Sequence, residues 1–241
     1  MYIEDELIKR YRDARLSVVA DALIQLTTKA DADSLSVKGI LHFIIDMVDD
    51  RNLAKKAAKF RLEADLPCPF TELSDIDFRT QPNISKADFE TLMSCTWCKR
   101  KKHQIFLGES GDTKLKVASV IGNSHLNKGV RVKAVPLKRL MFDLQIALGK
   151  DKFKDVLKAL NQYQLLIVHD WQIQSLRIDD IPLLTLLIES RKSPLLITSH
   201  LSKSEWNKDL TKLPLPLSIS TELRQESRFW SVSEPKNKSL H

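Results

Sequence analysis

The chain has 241 residues, of which 43% are hydrophobic, so it carries enough apolar material for a folded core and a fully disordered chain is excluded. Its 38 Lys and Arg residues outnumber 31 Asp and Glu residues, and the resulting formal charge of +7 favours partners that carry phosphate. No signal-like segment follows Met1 and no stretch is long and apolar enough to cross a bilayer. We therefore expect a cytoplasmic protein without membrane contact.

Residues 1–66 are predicted to form a helical segment that binds DNA or a protein partner. The first helix is expected from Glu4 to about Thr27, because apolar residues recur there at intervals of three and four. A second helix is expected to begin at Val37, with Ser36 as its N-cap, and to end before Pro67. The apolar positions expected to be buried are Leu16, Val19, Leu23 and Leu26 in the first helix and Ile40, Leu41, Ile44 and Val48 in the second.

The second half of the second helix is basic. Arg51, Lys55 and Lys59 are spaced four residues apart and form one stripe, which Lys56 and Arg61 flank. Such a stripe can follow the phosphate backbone of double-stranded DNA, because binding releases condensed counterions. A solvated helix face with no ligand is the alternative interpretation.

Residues 67–83 are predicted to be a connector, because prolines and turn-forming residues are frequent there, and its packing residues are expected to be Phe70, Ile76 and Phe78. A second domain is predicted over residues 84–232, where short β-rich runs alternate with helical patterns. The expected strands cover residues 104–108, 130–135, 165–170 and 195–200. Continuously apolar runs are typical of parallel strands covered on both faces, so the fold class is α/β. The polar tail, residues 233–241, is expected to be disordered.

A strand, a glycine-containing turn and a helical pattern follow one another from Gln104 to Leu115, where a P-loop would lie. Gly108 and Lys114 fit the P-loop pattern, whereas Thr113 stands at the second glycine and Leu115 replaces the hydroxyl that binds Mg²⁺. A purely structural turn is the alternative interpretation of this partial match.

The apolar strand that begins at Leu165 ends in His169 and Asp170, where a Walker B motif would carry two acids. Only Asp170 remains of that acidic pair. A single Asp at the end of a strand can also be a turn or helix cap, so this alternative stays open.

These two sites and the residues around them resemble the IstB-like family and its DnaC-type helicase-loader relatives. The similarity covers residues 5–232. It includes Asp77-Phe78, Gln81-Pro82, Trp97, Lys128-Gly129 and the block from Ile197 to Trp206. The resemblance implies an AAA+-type P-loop domain, a three-layer sandwich with a parallel sheet, preceded by a small helical N-terminal segment.

The resemblance also implies roles for individual residues. Lys114 matches the phosphate-binding Lys, Gly108 and Gly111 match loop glycines, and Asp170 matches the second Walker B acid. Five residues depart from the family pattern. Thr113 and Leu115 replace P-loop residues, His169 replaces the first Walker B acid, His200 replaces the sensor Asn, and Glu222 replaces an Arg of a late sensor motif. Arg224 could substitute for that Arg after a small shift. The candidate catalytic residues are thus Asp170, His169 and His200, and the nucleotide-binding candidates are Gly108, Gly111, Thr113, Lys114 and Leu115.

The family resemblance implies ATP and Mg²⁺ as cofactors, a homo-oligomer on double-stranded DNA, and a transposase as partner. Because five family residues are replaced at one site, we expect ATP binding to be weakened and hydrolysis to be weakened or lost. Two alternatives remain open: a functional ATP-dependent DnaC-like helicase loader with a helicase partner, and a nucleotide-independent protein-interaction scaffold.

Cys95 and Cys98 have the spacing of zinc ligands or of a redox pair. A structural zinc ion needs four ligands, which are not evident here, and a redox motif would be expected after a strand, whereas this one precedes a strand. Packing is therefore the favoured interpretation, and no metal site is predicted. A dense basic cluster follows these cysteines. Its members, Lys99, Arg100, Lys101 and Lys102, are further candidates for DNA contact, and a solvated loop is the equal alternative.

Overall fold

The computed structural model describes residues 4–29, 35–77, 84–100, 102–108 and 112–233. The chain forms two compact units, residues 1–58 and residues 59–241. The boundary between them falls inside the long helix α3, which spans Val37–Glu63. Among the described residues, no helix is long and apolar enough to span a membrane.

The first unit contains α1 (Asp5–Asp13), α2 (Ser17–Thr28) and most of α3, up to Ala58. The prediction of one helix from Glu4 to Thr27 is wrong, because the backbone of Arg15 adopts a positive φ of 62° between two helices. A left-handed residue ends a right-handed helix, so the chain turns before α2 begins. Leu16 is consequently 48% exposed, while Leu26 is buried as expected.

The predicted second helix is confirmed as α3. Its first turn is capped by Ser36, whose Oγ accepts a hydrogen bond from the backbone N–H of Gly39 at 3.2 Å. The expected burial of Leu41 is wrong, because this side chain is 56% exposed. Ile40, Ile44 and Val48 are half-buried.

The second unit is built on a five-stranded parallel sheet with strand order β2-β3-β4-β1-β5. The strands are β1 (His103–Leu107), β2 (Val132–Pro136), β3 (Leu165–His169), β4 (Leu195–Ser199) and β5 (Ser227–Ser231). The four predicted strands are confirmed with small shifts at their ends. The sequence did not predict β5, because this edge strand has no continuous apolar run.

Helices cover both faces of this sheet. They are α4 (Lys86–Met93), α5 (Thr113–Asn127), α6 (Leu137–Gly149), α7 (Phe153–Leu160), α8 (Asp180–Ser190), α9 (Lys203–Lys212) and α10 (Leu217–Gln225). One apolar core lies between the sheet and helices α4 and α5, and a second lies between the opposite face and helices α6, α8, α9 and α10. The predicted α/β sandwich with a parallel sheet is therefore confirmed.

The segment between α3 and α4 meets the expectations only in part. Ile76 is buried, as predicted, but Phe70 is 94% exposed and its predicted packing role is wrong. The backbone on either side of Pro69 is held against α5, because Cys68 N–H donates to Ser119 Oγ and Asn123 Nδ2 donates to Pro69 O. These hydrogen bonds hold the backbone in place and leave the Phe70 ring exposed to solvent. Phe78, the third predicted packing residue, lies outside the described residues.

Candidate nucleotide site

The sheet topology brings three chain segments to one edge. Strand β4 pairs with β1 on one side and with β3 on the other, so the carboxyl ends of these parallel strands are neighbours. Six residues after or at these strand ends line a shared space: Lys114, Leu115, Asp170, Thr198, Ser199 and His200. The structure thus places predicted residues from the P-loop, the Walker B position and the sensor position at one site.

The space between these residues is small. Its volume is about 10 Å³, and Lys114 is only 2% exposed at the start of α5. Thr113, the residue at the second loop glycine, is also buried. Leu115 contributes an alkyl side chain where a hydroxyl would be needed for a cation. Gly111, another predicted loop residue, lies outside the described residues.

Gly108 follows β1 and makes a close contact with the segment after β5. The backbone N–H of Val232 donates to Leu107 O at 2.7 Å. A Cβ atom added at Gly108 would lie 2.0 Å from the carbonyl oxygen of Val232. Glycine is therefore required here by the packing of the protein's own backbone.

The Asp170 carboxylate lies beside two imidazoles. His169 Nδ1 is 3.0 Å from Asp170 Oδ2, and His200 Nε2 is 3.8 Å from Asp170 Oδ1. Asp170 has a φ of 53°, a left-handed conformation that Asp tolerates better than most residues. The side chain is about half exposed at 47%.

Trp171 fixes the backbone immediately after Asp170. Its N–H donates to Thr198 O at 2.9 Å, and its carbonyl oxygen accepts from Ser199 Oγ at 2.7 Å. The Trp171 ring is fully buried. Sequence reasoning missed Thr198 and Ser199 as lining residues, although both directly precede His200 in the family-like block.

The described residues of this site offer few oxygen ligands for the Mg²⁺ ion that accompanies ATP. Mg²⁺ requires oxygen ligands in near-octahedral geometry, and Leu115 supplies none while nitrogen atoms of His169 and His200 flank the remaining carboxylate. Across the described part of the chain, there is no group of three or more His, Cys, Asp or Glu side chains arranged to hold a metal ion. A larger cavity of about 980 Å³ lies elsewhere, between the connector and the outer face of α5.

Glu222 and Arg224 take part in contacts away from this space. Glu222 Oε1 lies 3.2 Å from Nε2 of His103, the first residue of β1, at the opposite end of the strand from the P-loop. His103 Nδ1 accepts from the N–H of Leu195, so its Nε2 carries the proton that Glu222 accepts. Arg224 donates to Asn207 O and Thr211 Oγ1 on α9. These contacts hold α10 in place and direct neither side chain to Lys114.

Cys98 is packed against the P-loop helix. Its Sγ lies 3.4 Å from Nε2 of the fully buried His125, whose Nδ1 lies 2.8 Å from Ile121 O. Burial, with a smaller contribution from Cys95, raises the pKa of the Cys98 thiol to about 12, and burial lowers the pKa of His125 to about 4. Both groups are therefore neutral near pH 7, which suits packing and does not suit thiolate chemistry.

The predicted DNA-binding residues differ in their surroundings. Lys55 and Lys59 are exposed, whereas Arg51 donates to Asp21 Oδ2 at 3.2 Å. Lys102 is also exposed. The side chains of Lys99 and Arg100 and the whole of Lys101 lie outside the described residues.

Together, the strand order and the Lys114, Asp170 and His200 positions define an AAA+-type P-loop protein. The same fold occurs in the DnaC helicase loader, with a TM-score of 0.53 and 17% identity over 61% of this chain and 87% of that chain. It also occurs in DnaI, with a TM-score of 0.55 and 14% identity over 71% of this chain and 96% of that chain.

A sequence profile of the IstB-like ATP binding protein family matches residues 10–223. The chain belongs to this family. It is similar to the insertion sequence IS1162 putative ATP-binding protein of Pseudomonas fluorescens, with 26% identity over 221 residues, 88% of this chain and 94% of that protein. The predicted family and its AAA+-type fold are thereby confirmed.

Proposed function

We propose that this chain is an IstB-like DNA-binding accessory protein that assists a transposase, and that its ATP hydrolysis is weakened or lost. The observation that carries the proposal is the small space, about 10 Å³, between Lys114, Leu115 and Asp170. The family relationship supports the transposition part, since the similar Pseudomonas protein is described as an insertion sequence protein.

The size of the space argues against a bound triphosphate. A cavity needs roughly 10–15 Å³ of comparable volume to hold one water molecule. The space between Lys114, Asp170 and His200 measures about 10 Å³, so it holds about one water molecule and no phosphate group.

The chemistry of the lining argues against turnover. Phosphoryl transfer depends on a metal ion and on groups that stabilise developing negative charge, and the loss of one such group typically costs roughly 10²-fold or more in rate. Leu115 cannot ligate Mg²⁺, and the Asp170 carboxylate faces His169 and His200. Two independent requirements of the reaction are thus weakened at one site.

DNA binding is proposed for α3 and for the basic cluster at residues 99–102. The chain has a formal charge of +7, and Lys55 and Lys59 present exposed ammonium groups from one stripe of α3. Exposed cations gain free energy on phosphates by releasing counterions, without requiring a particular base sequence. We therefore infer a sequence-independent contribution to duplex binding.

A DnaC-like helicase loader is the second candidate, because the fold covers 87% of the DnaC chain. A loader would require a helicase as partner and a working nucleotide switch. A scaffold that binds neither DNA nor nucleotide would be expected to co-purify with a protein partner and to leave duplex DNA unshifted at low salt.

Binding of a fluorescent ATP analogue, measured with and without Mg²⁺, tests the proposal. We expect no saturable binding tighter than about 1 mM, and the same weak signal in Lys114→Ala. Tight binding that Mg²⁺ strengthens and that Lys114→Ala abolishes would refute the loss of the nucleotide switch. A mobility shift of duplex DNA without nucleotide tests the DNA part separately, and its absence at low salt would favour the scaffold.

A further inference from the structure

The last turn of α3 carries an acidic residue in line with the basic stripe. The stripe recurs at every fourth residue up to Lys59, and Glu63 is the next position in that series. Residues four apart on a helix have Cβ atoms about 5–6 Å apart on the same face, so the Glu63 carboxylate is within reach of the Lys59 ammonium group. A pair of that kind would neutralise the last cation of the stripe.

The Glu63 carboxylate is bound by another residue. Nε and Nη2 of Arg131 both donate to Glu63 Oε2, at 3.0 Å and 2.5 Å. Nη1 of Arg131 donates to Gln162 Oε1 at 2.7 Å, and its Cζ lies 4.7 Å from the centre of the Tyr163 ring. Lys59 is exposed, and within the described residues no ion pair joins it to Glu63. Glu63 is therefore paired with Arg131 and not with its neighbour on the helix.

Two physical effects favour Arg131 over Lys59 as the partner of Glu63. The guanidinium is already held by Gln162 and the Tyr163 ring, so pairing costs little side-chain entropy, whereas Lys59 would have to fix a flexible chain in solvent. The side chains of Arg131 and Glu63 are only 26% and 31% exposed, and salt screens a partly buried ion pair less than an exposed one.

A second cation from β2 lies at the same end of α3. Glu63 is the last residue of the helix, where the helix dipole disfavours a negative charge. Lys133 Nζ donates to the Glu63 carbonyl oxygen at 3.1 Å and forms an ion pair with Asp65. The two carboxylates that follow the basic stripe are thus both neutralised by cations from outside the helix.

We propose that Arg131 is a positioning residue for DNA binding, which acts by keeping the Glu63 carboxylate away from Lys59. The Lys59 ammonium group then stays available for a phosphate, although an acid lies one turn further along the same face. Arg131 does not have to contact DNA for this role, because its guanidinium is engaged by Glu63 and Gln162. The DNA part of this inference rests on the proposed function, whereas the choice of partner by Glu63 does not.

Fluorescence anisotropy with duplex DNA at several salt concentrations tests the role of Arg131. In Arg131→Gln the released carboxylate pairs with Lys59 and repels nearby phosphates. We therefore expect binding to weaken about two- to fivefold and the salt slope to fall by up to about 0.9, the value of one phosphate contact. The double variant Arg131→Gln/Glu63→Gln should regain the original affinity and slope.

A second double variant shows whether Arg131 acts through Lys59. Arg131→Gln/Lys59→Gln should lose the slope of one phosphate contact, about 0.9, because both changes remove the same contact. A loss of about 1.8 would mean that Arg131 binds a phosphate itself, which contradicts the proposal. Arg139→Gln is the matched control, since it removes the same charge from an exposed pair with Asp143 on α6 and should leave the slope unchanged.

Acylation of the Lys59 amine separates this role from a loosened helix end. With limiting acetic anhydride, no DNA and mass spectrometry as the readout, Arg131→Gln should lower the acylation rate of Lys59 by about twofold, because an ion pair keeps the amine protonated. Arg131→Gln/Glu63→Gln should restore the rate. A helix end that had only lost its anchor would leave the rate unchanged or raise it.

Three results would overturn the proposal. They are duplex binding that Arg131→Gln leaves unchanged in affinity and slope, a double variant with Glu63→Gln that stays weak, and a Lys59 acylation rate that does not fall. If the original chain does not bind duplex DNA, the proposed DNA function fails together with the DNA role of Arg131. The acylation rates then still show whether Arg131 keeps Glu63 from Lys59. Circular dichroism of each variant checks that the helices persist.

Discussion

His169 Nδ1 lies 3.0 Å from Asp170 Oδ2, so the carboxylate at the Walker B position is already engaged by an imidazole of the preceding residue. This contact replaces the paired acids that an active P-loop enzyme directs at its cation. Reversing individual substitutions therefore tests whether they cause the proposed loss of nucleotide binding.

If nucleotide binding is weakened as proposed, restoring oxygen ligands should strengthen it. The double variant Leu115→Thr/His169→Asp supplies a hydroxyl and a second carboxylate, and we expect Mg²⁺-dependent binding of an ATP analogue to rise by at least about tenfold, equivalent to 1.4 kcal/mol. Fluorescence titration with and without Mg²⁺ measures the change. Leu115→Val/His169→Asp is the control, because Val has the shape of Thr without its hydroxyl. An equal gain in the Val variant would mean that packing, and not metal ligation, limits binding.

Gly108→Ala should destabilise the protein even if no nucleotide binds. The added Cβ would lie 2.0 Å from Val232 O, a backbone atom that cannot rotate away. We expect a loss of about 2–4 kcal/mol in the free energy of unfolding, measured by urea denaturation. Gly149→Ala is the control, because its Cβ meets nothing within 4 Å, and it should change stability by less than about 1 kcal/mol. Comparable stability of the two variants would contradict the close contact between Gly108 and Val232.

His125 should make stability depend on pH. Burial lowers its folded-state pKa to about 4 from an ordinary value of 6.5, so the unfolded chain takes up a proton between these values while the folded protein does not. Stability from this residue is therefore complete above pH 6.5 and falls by roughly 3 kcal/mol as the pH drops toward 4.

Urea denaturation of His125→Gln at several pH values checks this dependence on His125. We expect the variant to be less stable near pH 7, and we expect its free energy of unfolding to change less between pH 6.5 and 4. His42→Gln, which changes an exposed histidine, should keep the pH dependence of the original chain. If the His125→Gln profile kept the original slope, another group would have to be responsible.

Arg191 should contribute to stability through backbone acceptors. It is 3% exposed and donates to Leu160 O at 2.9 Å and to Tyr163 O at 3.0 Å, at the end of α7. Arg191→Met keeps much of the buried alkyl volume but removes both donors, and we expect a loss of about 2–4 kcal/mol in thermal or urea unfolding. Lys192→Met changes the adjacent exposed cation and should be nearly neutral. Near-neutral behaviour of Arg191→Met would show that water satisfies the two carbonyls.

The proposed DNA contacts predict a change in salt dependence. Replacing Arg51, Lys55, Lys56 and Lys59 with Gln should weaken duplex binding uniformly across sequences and reduce the salt slope by up to about 3.6, or 0.9 per lost phosphate contact. Fluorescence anisotropy at several salt concentrations measures both effects.

A matched control for the DNA prediction removes four exposed lysines on and before α7. These are Lys150, Lys152, Lys154 and Lys158. The control makes the same change in net charge and should leave the slope closer to that of the original chain. If the salt slope falls in the control and not in the α3 variant, the DNA contact lies on the α6–α7 surface and not on α3.

The features that depend on local pattern could be predicted from the amino-acid sequence. Apolar runs predicted four strands, and the cap at Ser36 predicted the start of α3. The resemblance of the segments Gly108–Leu115, Leu165–Asp170 and Ile197–Trp206 to the IstB-like family predicted the family and the AAA+-type fold. These features can be predicted because strand burial, helix capping and short motifs depend on residues close together in the chain.

The contacts between residues far apart in the chain became known from the folded structure and not from the sequence. It paired Gly108 with Val232, directed Glu222 to His103 instead of Lys114, and left Phe70 and Leu41 exposed. It also reduced the space beside Lys114 to about 10 Å³. Most of these results depend on contacts between residues far apart in the chain, such as the pairing of β1 with β4 and β5, and such contacts leave no periodic signal in the sequence.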